Sequence, residues 1–104
     1  MTPQTVDVLR ALLAKPTKPK YGRELGQELG LKSGTLHPIL ARLEHAGLVE
    51  SFWEEPAAHE DQGRPRRRYY RFTPDGAERA RLALAAVTQT AVIASTRRRL
   101  APGH

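Results

Sequence analysis

Apolar residues recur along this chain at helical spacing, then in extended runs, then at helical spacing again. Val6, Leu9, Leu12 and Leu13, with Val8 alongside, stand three and four positions apart, which gathers them on one side of a helix. Pro3 occupies a first-turn position, where its missing N–H has no partner to lose. A helix over Pro3–Lys15 is predicted, stopped by Pro16 and Pro19. Pro16–Lys20 reads as a rigid, basic connector. Leu25 and Leu29 lie one turn apart and Gly30 follows as a helix-ending residue. Tyr21–Leu29 therefore reads as a second, short helix, with Leu31 tucking back into the core.

The next stripe is the cleanest. Leu36, Ile39, Leu40, Leu43 and Ala46 are offset by three and four, so one face of a third helix is apolar. It begins near Ser33, a natural N-cap, and closes at Gly47. Pro38 costs little if it falls in the first turn and kinks the axis if Ser33 is the cap; the sequence leaves that choice open. Leu48–Glu55, with Val49, Phe52 and Trp53, favours a strand, although its alternation is imperfect. Pro56–Pro65 is a polar loop, and Arg67–Thr73, with Tyr69, Tyr70 and Phe72, is a second strand. Together they predict a β-hairpin with a long tip. Thr73 and Pro74 look like an N-cap and first-turn pair ahead of Asp75. The helix they open runs to about Leu100, roughly 40 Å if continuous. The expected architecture is mainly α with a small β-hairpin. A winged helix-turn-helix covers residues 1–73, a long C-terminal helix covers 74–100, and 101–104 are a tail.

Composition narrows the function. With 104 residues one domain with a thin core is expected. The formal net charge of +6 points to a polyanion, either nucleic acid or an anionic membrane surface. The absence of cysteine excludes disulfides and thiolate zinc sites and permits a reducing cytoplasm. Neither a signal peptide nor an apolar run of ~18 residues is recognisable, so a cytoplasmic protein without a membrane partner is expected.

The order helix, helix, turn, helix, strand, basic loop, strand, long helix carries the functional signal. Gly30-Leu31-Lys32 is a helix-turn-helix connection, which lets the later helix lie in a DNA major groove. The stripe from Leu36 to Leu43 would hold that helix on the core. Its other face would present Lys32, Ser33, Thr35, His37, Arg42 and His45. In the loop, Arg64, Arg66, Arg67 and Arg68 exceed what Glu54, Glu55, Glu60 and Asp61 are expected to neutralise. At a hairpin tip such arginines reach phosphates or the minor groove, and the planar guanidinium pairs with phosphate oxygens at two points. One of Tyr69 and Tyr70 packs inward while the other offers its hydroxyl to a phosphate. Blander readings stand beside these. An isolated basic run is usually a solvated surface, His37 can be an ordinary surface histidine, and Tyr21 can simply pack under the second helix. Trp53 reads as core or interface rather than a ligand platform.

The last helix has apolar residues on too many faces for a thin domain. Ala77, Ala80, Leu84, Val87, Ala91 and Ala94 follow one stripe, and Leu82, Ala85, Ala86, Val92 and Ile93 lie largely elsewhere. The excess predicts a homodimer, with Leu84, Val87, Ala91, Val92 and Ala94 at its interface. The alternative is an alanine-rich helix that is merely stable by itself. A two-fold dimer presents its recognition helices to half-sites ~34–36 Å apart. Arg97-Arg98-Arg99 complement the helix dipole and are expected to be solvated.

Catalysis finds no support. His37, His45, His59 and His104 are scattered, without metal-ligand spacing, and neither a phosphate-binding glycine loop nor a nucleophile elbow occurs. No metal, cofactor or enzymatic activity is expected. A winged-helix module that binds protein or RNA without a specific operator remains the competing class.

Several segments together resemble the PadR family of bacterial transcriptional regulators. They are Tyr21-Gly22 through Gly34-Thr35-Leu36-His37-Pro38-Ile39-Leu40, Arg42-Leu43-Glu44, Gly47-Leu48-Val49 and Arg66 to Gly76. The likeness spans roughly residues 5 to 80. It implies a sequence-specific, homodimeric repressor of the compact kind, with one long dimerisation helix. Its third helix and wing would contact a palindromic DNA operator. The resemblance supports Tyr21, Ser33, Thr35, His37 and the wing arginines as DNA-facing. The family usually carries tyrosine where this chain has His37; histidine still donates to a phosphate but offers less apolar contact. Some members bind flat aromatic compounds between subunits. The last helix here has no aromatic residue, so a small-molecule effector is not carried over.

Overall fold

The computed structural model describes residues 1–57 and 62–87. Its elements are α1 (Pro3–Leu13), β1 (Lys20–Tyr21), α2 (Gly22–Leu29), α3 (Ser33–His45), β2 (Val49–Trp53) and β3 (Arg68–Phe72). A fourth helix, α4, covers residues 76–87 of the described chain. The Thr2 hydroxyl accepts the Thr5 N–H at 3.2 Å and opens α1, with Pro3 in its first turn.

The expected connector Pro16–Lys20 is partly a strand. Lys20 pairs with Tyr70 and Tyr21 with Tyr69, antiparallel. The expected hairpin is therefore a three-stranded sheet in the order β1-β3-β2. Nor is Lys20 a solvated charge: it is buried, and its Nζ meets both carboxylate oxygens of Glu28 at 2.7 and 3.0 Å. A two-residue strand has no periodicity to read, and its partner lies far along the chain.

Lys32, not Ser33, is the N-cap of α3, and no side chain caps it. The Lys32 carbonyl accepts the N–H groups of Thr35 and Leu36 at 3.0 and 2.9 Å, so Ser33 is already helical. Pro38 consequently falls inside the helix and withholds the donor that the Gly34 carbonyl would use. The other end follows expectation. Gly47, at φ 76°, donates to the Glu44 carbonyl and Leu48 donates to that of Leu43, both at 3.0 Å. This paired closure, favoured by glycine at left-handed φ, turns the chain into β2.

The core collects Val8, Leu9 and Leu12 of α1, Leu25 of α2, Leu36, Ile39, Leu40 and Leu43 of α3, and Val49, Tyr70, Phe72 and Ala80. Register puts Val49 opposite Phe72 and Ser51 opposite Tyr70 on the core side of the sheet, while Phe52 meets Tyr69 on the other. The imperfect alternation of Phe52-Trp53 thus reflects two apolar residues on opposite faces.

Thr73 does not cap α4 as expected. Its hydroxyl donates to the Gly47 carbonyl at 2.7 Å and its N–H to that of Leu48 at 3.1 Å. Helical residues begin at 76, after a turn at Pro74-Asp75. Gly76 is buried there, and a Cβ on it would stand 1.9 Å from the Leu48 carbonyl oxygen. Leu84 packs partly against this chain's own core, while Leu82 and Val87 are exposed. The expected interface residues Ala91, Val92 and Ala94 lie outside the described residues, as do Arg97-Arg98-Arg99, Glu60, Asp61 and the expected tail.

Candidate nucleic-acid interface

Burial of Leu36, Ile39, Leu40 and Leu43 fixes the rotation of α3. The side opposite carries Gly34, Pro38, Ala41 and His45, all exposed. The predicted contact residues divide between its two flanks. Ser33 and His37 lie toward α2, with the His37 imidazole beside Gly22. Thr35 and Arg42 lie on the other flank, Arg42 about 140° around the axis from His37 at ~100° per residue.

Between α2, α3 and the β2–β3 wing runs a groove of about 460 Å³. It brings together Tyr21, His37, Arg64, Arg66, Arg67 and Arg68. A second groove, of about 410 Å³ between α2 and α3, shares His37 and adds Ser33. Lys32, Thr35 and Arg42 line neither groove. Both grooves contain Arg23 and Gln27 of α2, and the first contains Trp53; sequence reasoning did not select any of these three as contact residues. Arg23 and Gln27 are four apart on the exposed side of an amphipathic helix, a spacing that groups them on one face.

The wing is organised around Glu54. This side chain is only 7% exposed. Both of its carboxylate oxygens are held by Arg64, at 2.6 and 2.7 Å. Two-point pairing of this kind is among the stronger protein hydrogen bonds. The Arg64 bonds, aided by the Arg67 N–H, outweigh burial and hold the Glu54 carboxyl down at about 2. The same pairing raises Arg64. The Glu54 carbonyl accepts Arg66 Nε at 2.8 Å, and its N–H donates to the Arg67 carbonyl at 2.8 Å.

The remaining arginines rest on rings. Arg67 stacks 4.1 Å above Tyr21. Tyr21 meets Tyr69 edge-on at 5.5 Å, Tyr69 stacks on Phe52 at 5.7 Å, and Arg71 covers Phe52 at 4.8 Å. This aromatic row crosses all three strands and is capped by a guanidinium at each end. On the opposite side of the sheet, Trp53 is 51% exposed and lies between Arg66 and Arg68, at 5.8 and 5.5 Å. Such cation–π contacts contribute on the order of 0.5–1 kcal/mol each at exposed sites. Arg68 also donates to Ser51 Oγ at 2.7 Å and stands 3.7 Å from Glu44 of α3, while Ser51 donates to Glu44. These contacts tie the wing to α3. Tyr70 is the tyrosine that packs inward, and burial pushes its hydroxyl up.

Among the described residues no group of three or more acids, histidines or cysteines is placed to hold a metal. No described helix is long and apolar enough to cross a membrane.

Among solved structures the chain is similar to a transcriptional regulator homologue from Pyrococcus horikoshii OT3, with 23% identity over 91% of this chain and 84% of that one, at TM-score 0.68. A transcriptional regulator from Clostridium thermocellum gives 24% identity over 88% and 89% of the two chains, at TM-score 0.65. MepR of S. aureus, in its DNA-binding conformation, gives 14% identity over 93% and 66%, at TM-score 0.66. These likenesses establish the winged-helix fold. No curated protein sequence matches the chain. The model of the Transcriptional regulator PadR-like family matches residues 9–82, and the chain belongs to that family.

Proposed function

We propose that this chain is a sequence-specific repressor that binds a palindromic operator in double-stranded DNA as a homodimer. The observation that carries this reading is the groove between wing and helix-turn-helix. Arg23 of α2, His37 of α3 and the wing arginines converge on it, and no carboxylate lines it among the described residues. A concave, cationic surface of this kind fits a phosphate backbone. Arg66, Arg67, Arg68 and Arg23 supply phosphate contacts, with Tyr21 and His37 as further donors. Lys32 and Ser33 approach phosphate at the start of α3, and Thr35 and Arg42 face bases along its other flank. Small side chains at Gly34 and Ala41 let the helix enter the groove closely.

The dimer reading draws on Leu82 and Val87, which are exposed on α4. Val87 belongs to the sequence stripe that continues to Ala91 and Ala94, which together with Val92 on a neighbouring face would complete the interface. Occupancy of the operator represses by blocking the promoter. The aromatic row on the sheet speaks against RNA binding as a stacking platform. Its rings are stacked on one another and capped by Arg67 and Arg71. Neither an effector nor a cofactor enters this reading, nor does catalysis, and a cytoplasmic location accords with it.

A salt titration of binding to duplex fragments, with the mass of the protein recorded in the same buffer, tests the proposal. Fragment-selective binding by a dimer that weakens steeply with salt supports it. Weak binding equal for every fragment overturns the operator reading and leaves a nonspecific basic module.

A further inference from the structure

Glu54 is a puzzle if the wing binds DNA. An acid in the middle of four arginines lowers the positive potential that attracts phosphate. The geometry gives it another role. Glu54 follows the last residue of β2 and faces Arg67, just before β3 begins. It therefore closes the neck of the hairpin, and it does so through side chain and backbone together. The carboxylate takes both ends of the Arg64 fork and the Arg67 N–H at 3.4 Å. The Glu54 carbonyl takes Arg66 Nε. Three of the wing arginines are thus located by one residue. Arg64 itself has a side chain only 20% exposed, and both of its terminal nitrogens are already committed. A phosphate approaching the edge of Arg64 that faces Glu54 would have to displace a buried carboxylate.

We propose that Glu54 is a positioning residue for DNA binding and that Arg64 is the strut it holds, not a phosphate ligand. Glu54 fixes the neck, and the neck sets where Arg66 leaves the chain toward Trp53 and Arg67 toward Tyr21. The inference rests on the DNA-binding reading above and reassigns one of its arginines. The low carboxyl value of Glu54 keeps the clamp charged throughout the neutral range.

The experiment compares wild type with Glu54→Gln, Arg64→Ala and the double variant. Two duplexes of equal length serve as probes: the tightest-bound fragment of the salt titration and a random sequence. The result expected is that Glu54→Gln, which raises the net charge, nevertheless loses about tenfold on the selected fragment, the scale of one charge-assisted hydrogen bond. Random-duplex binding holds or rises. Arg64→Ala produces the same loss of selectivity, and the double variant is no worse than either single one, because both remove one clamp. A thermal melt and the emission of Trp53, the only tryptophan in the chain, verify folding and report on the wing. Should Glu54→Gln not fold, Arg64→Ala decides alone. Equal weakening on both duplexes, with a salt slope shallower by about 0.9 for each phosphate no longer neutralised, would mark Arg64 as a phosphate ligand. Tighter or unchanged binding of Glu54→Gln to the selected fragment also overturns the inference while leaving DNA binding intact. If the wild type prefers no duplex, the operator reading fails and the inference falls with it.

Discussion

Gly76→Ala separates local propensity from tertiary packing, because the two predict opposite signs. Gly76 stands where α4 begins, and glycine in a helix costs about 0.5–1 kcal/mol relative to alanine. On propensity alone the substitution stabilises. The structure says otherwise. The added Cβ would lie 1.9 Å from the Leu48 carbonyl oxygen, 2.9 Å from its carbon and 2.7 Å from Thr73 Oγ1. Carbon and oxygen cannot approach so closely, and the Leu48 carbonyl is already an acceptor for the Thr73 N–H. The start of α4 must move off the end of α3. That movement strains the Thr73 hydroxyl bond to Gly47 and the Arg79 bonds to Ala46 and Gly47, at 2.7, 2.9 and 3.2 Å, and unseats buried Ala80. Overpacking costs about 1–3 kcal/mol, and partial weakening of these hydrogen bonds adds roughly 1 kcal/mol between them. After the propensity gain is subtracted, the net loss is on the order of 2–3 kcal/mol. Thermal unfolding followed by circular dichroism, at one fixed protein concentration, should show the midpoint falling by at least ~8 °C. Gly34→Ala is the control. A Cβ there meets nothing within 4 Å, so the helix propensity gain is kept and the midpoint rises or holds. A Gly76→Ala protein as stable as wild type would refute the packing argument.

Replacing Arg66 and Arg68 together by alanine should weaken binding to every duplex and make the salt slope shallower by about 0.9 for each phosphate the wing then leaves unneutralised; an unchanged slope would remove the wing from the interface. Trp53 is half-exposed in the groove, so its emission should change on saturation with the selected duplex, and constant emission would mean that DNA passes elsewhere. The Glu54 carboxyl is lowered from an ordinary 4.5 to about 2, so its contribution to stability is fully present above the first value and is lost as pH falls through the second. Unfolding midpoints of wild type and Glu54→Gln should therefore converge as pH is lowered from 4.5 toward 2; a gap that stays constant over that range would refute the assignment.

The parts of the fold that were legible in the sequence are those in which neighbours along the chain decide the structure. The stripe is buried as its spacing requires at Leu36, Ile39, Leu40 and Leu43, though not at Ala46, which is exposed at the helix end, and Gly47 ends the helix through bonds within five residues. What escaped depends on distant partners. β1 exists only because β3 returns to it. Lys20 looked like part of a basic connector, yet Glu28 neutralises it in a buried setting. Thr73 has the side chain of a cap and spends its hydroxyl on Gly47 instead. The wing shows why the candidate site was only partly readable. Counting Arg64, Arg66, Arg67 and Arg68 measures charge, but charge alone does not say which guanidinium can turn toward a phosphate. Glu54, ten residues before Arg64, decides that for one of them. Rings on both sides of the sheet orient the others. In the proposed reading, an unheld arginine would lose much of its rotamer freedom on meeting a phosphate, and stacking on Tyr21 or Trp53 would settle part of that cost before DNA arrives. The same acid that reduces the net charge of the wing therefore gives its arginines a defined geometry, and geometry is what a nonspecific polycation lacks.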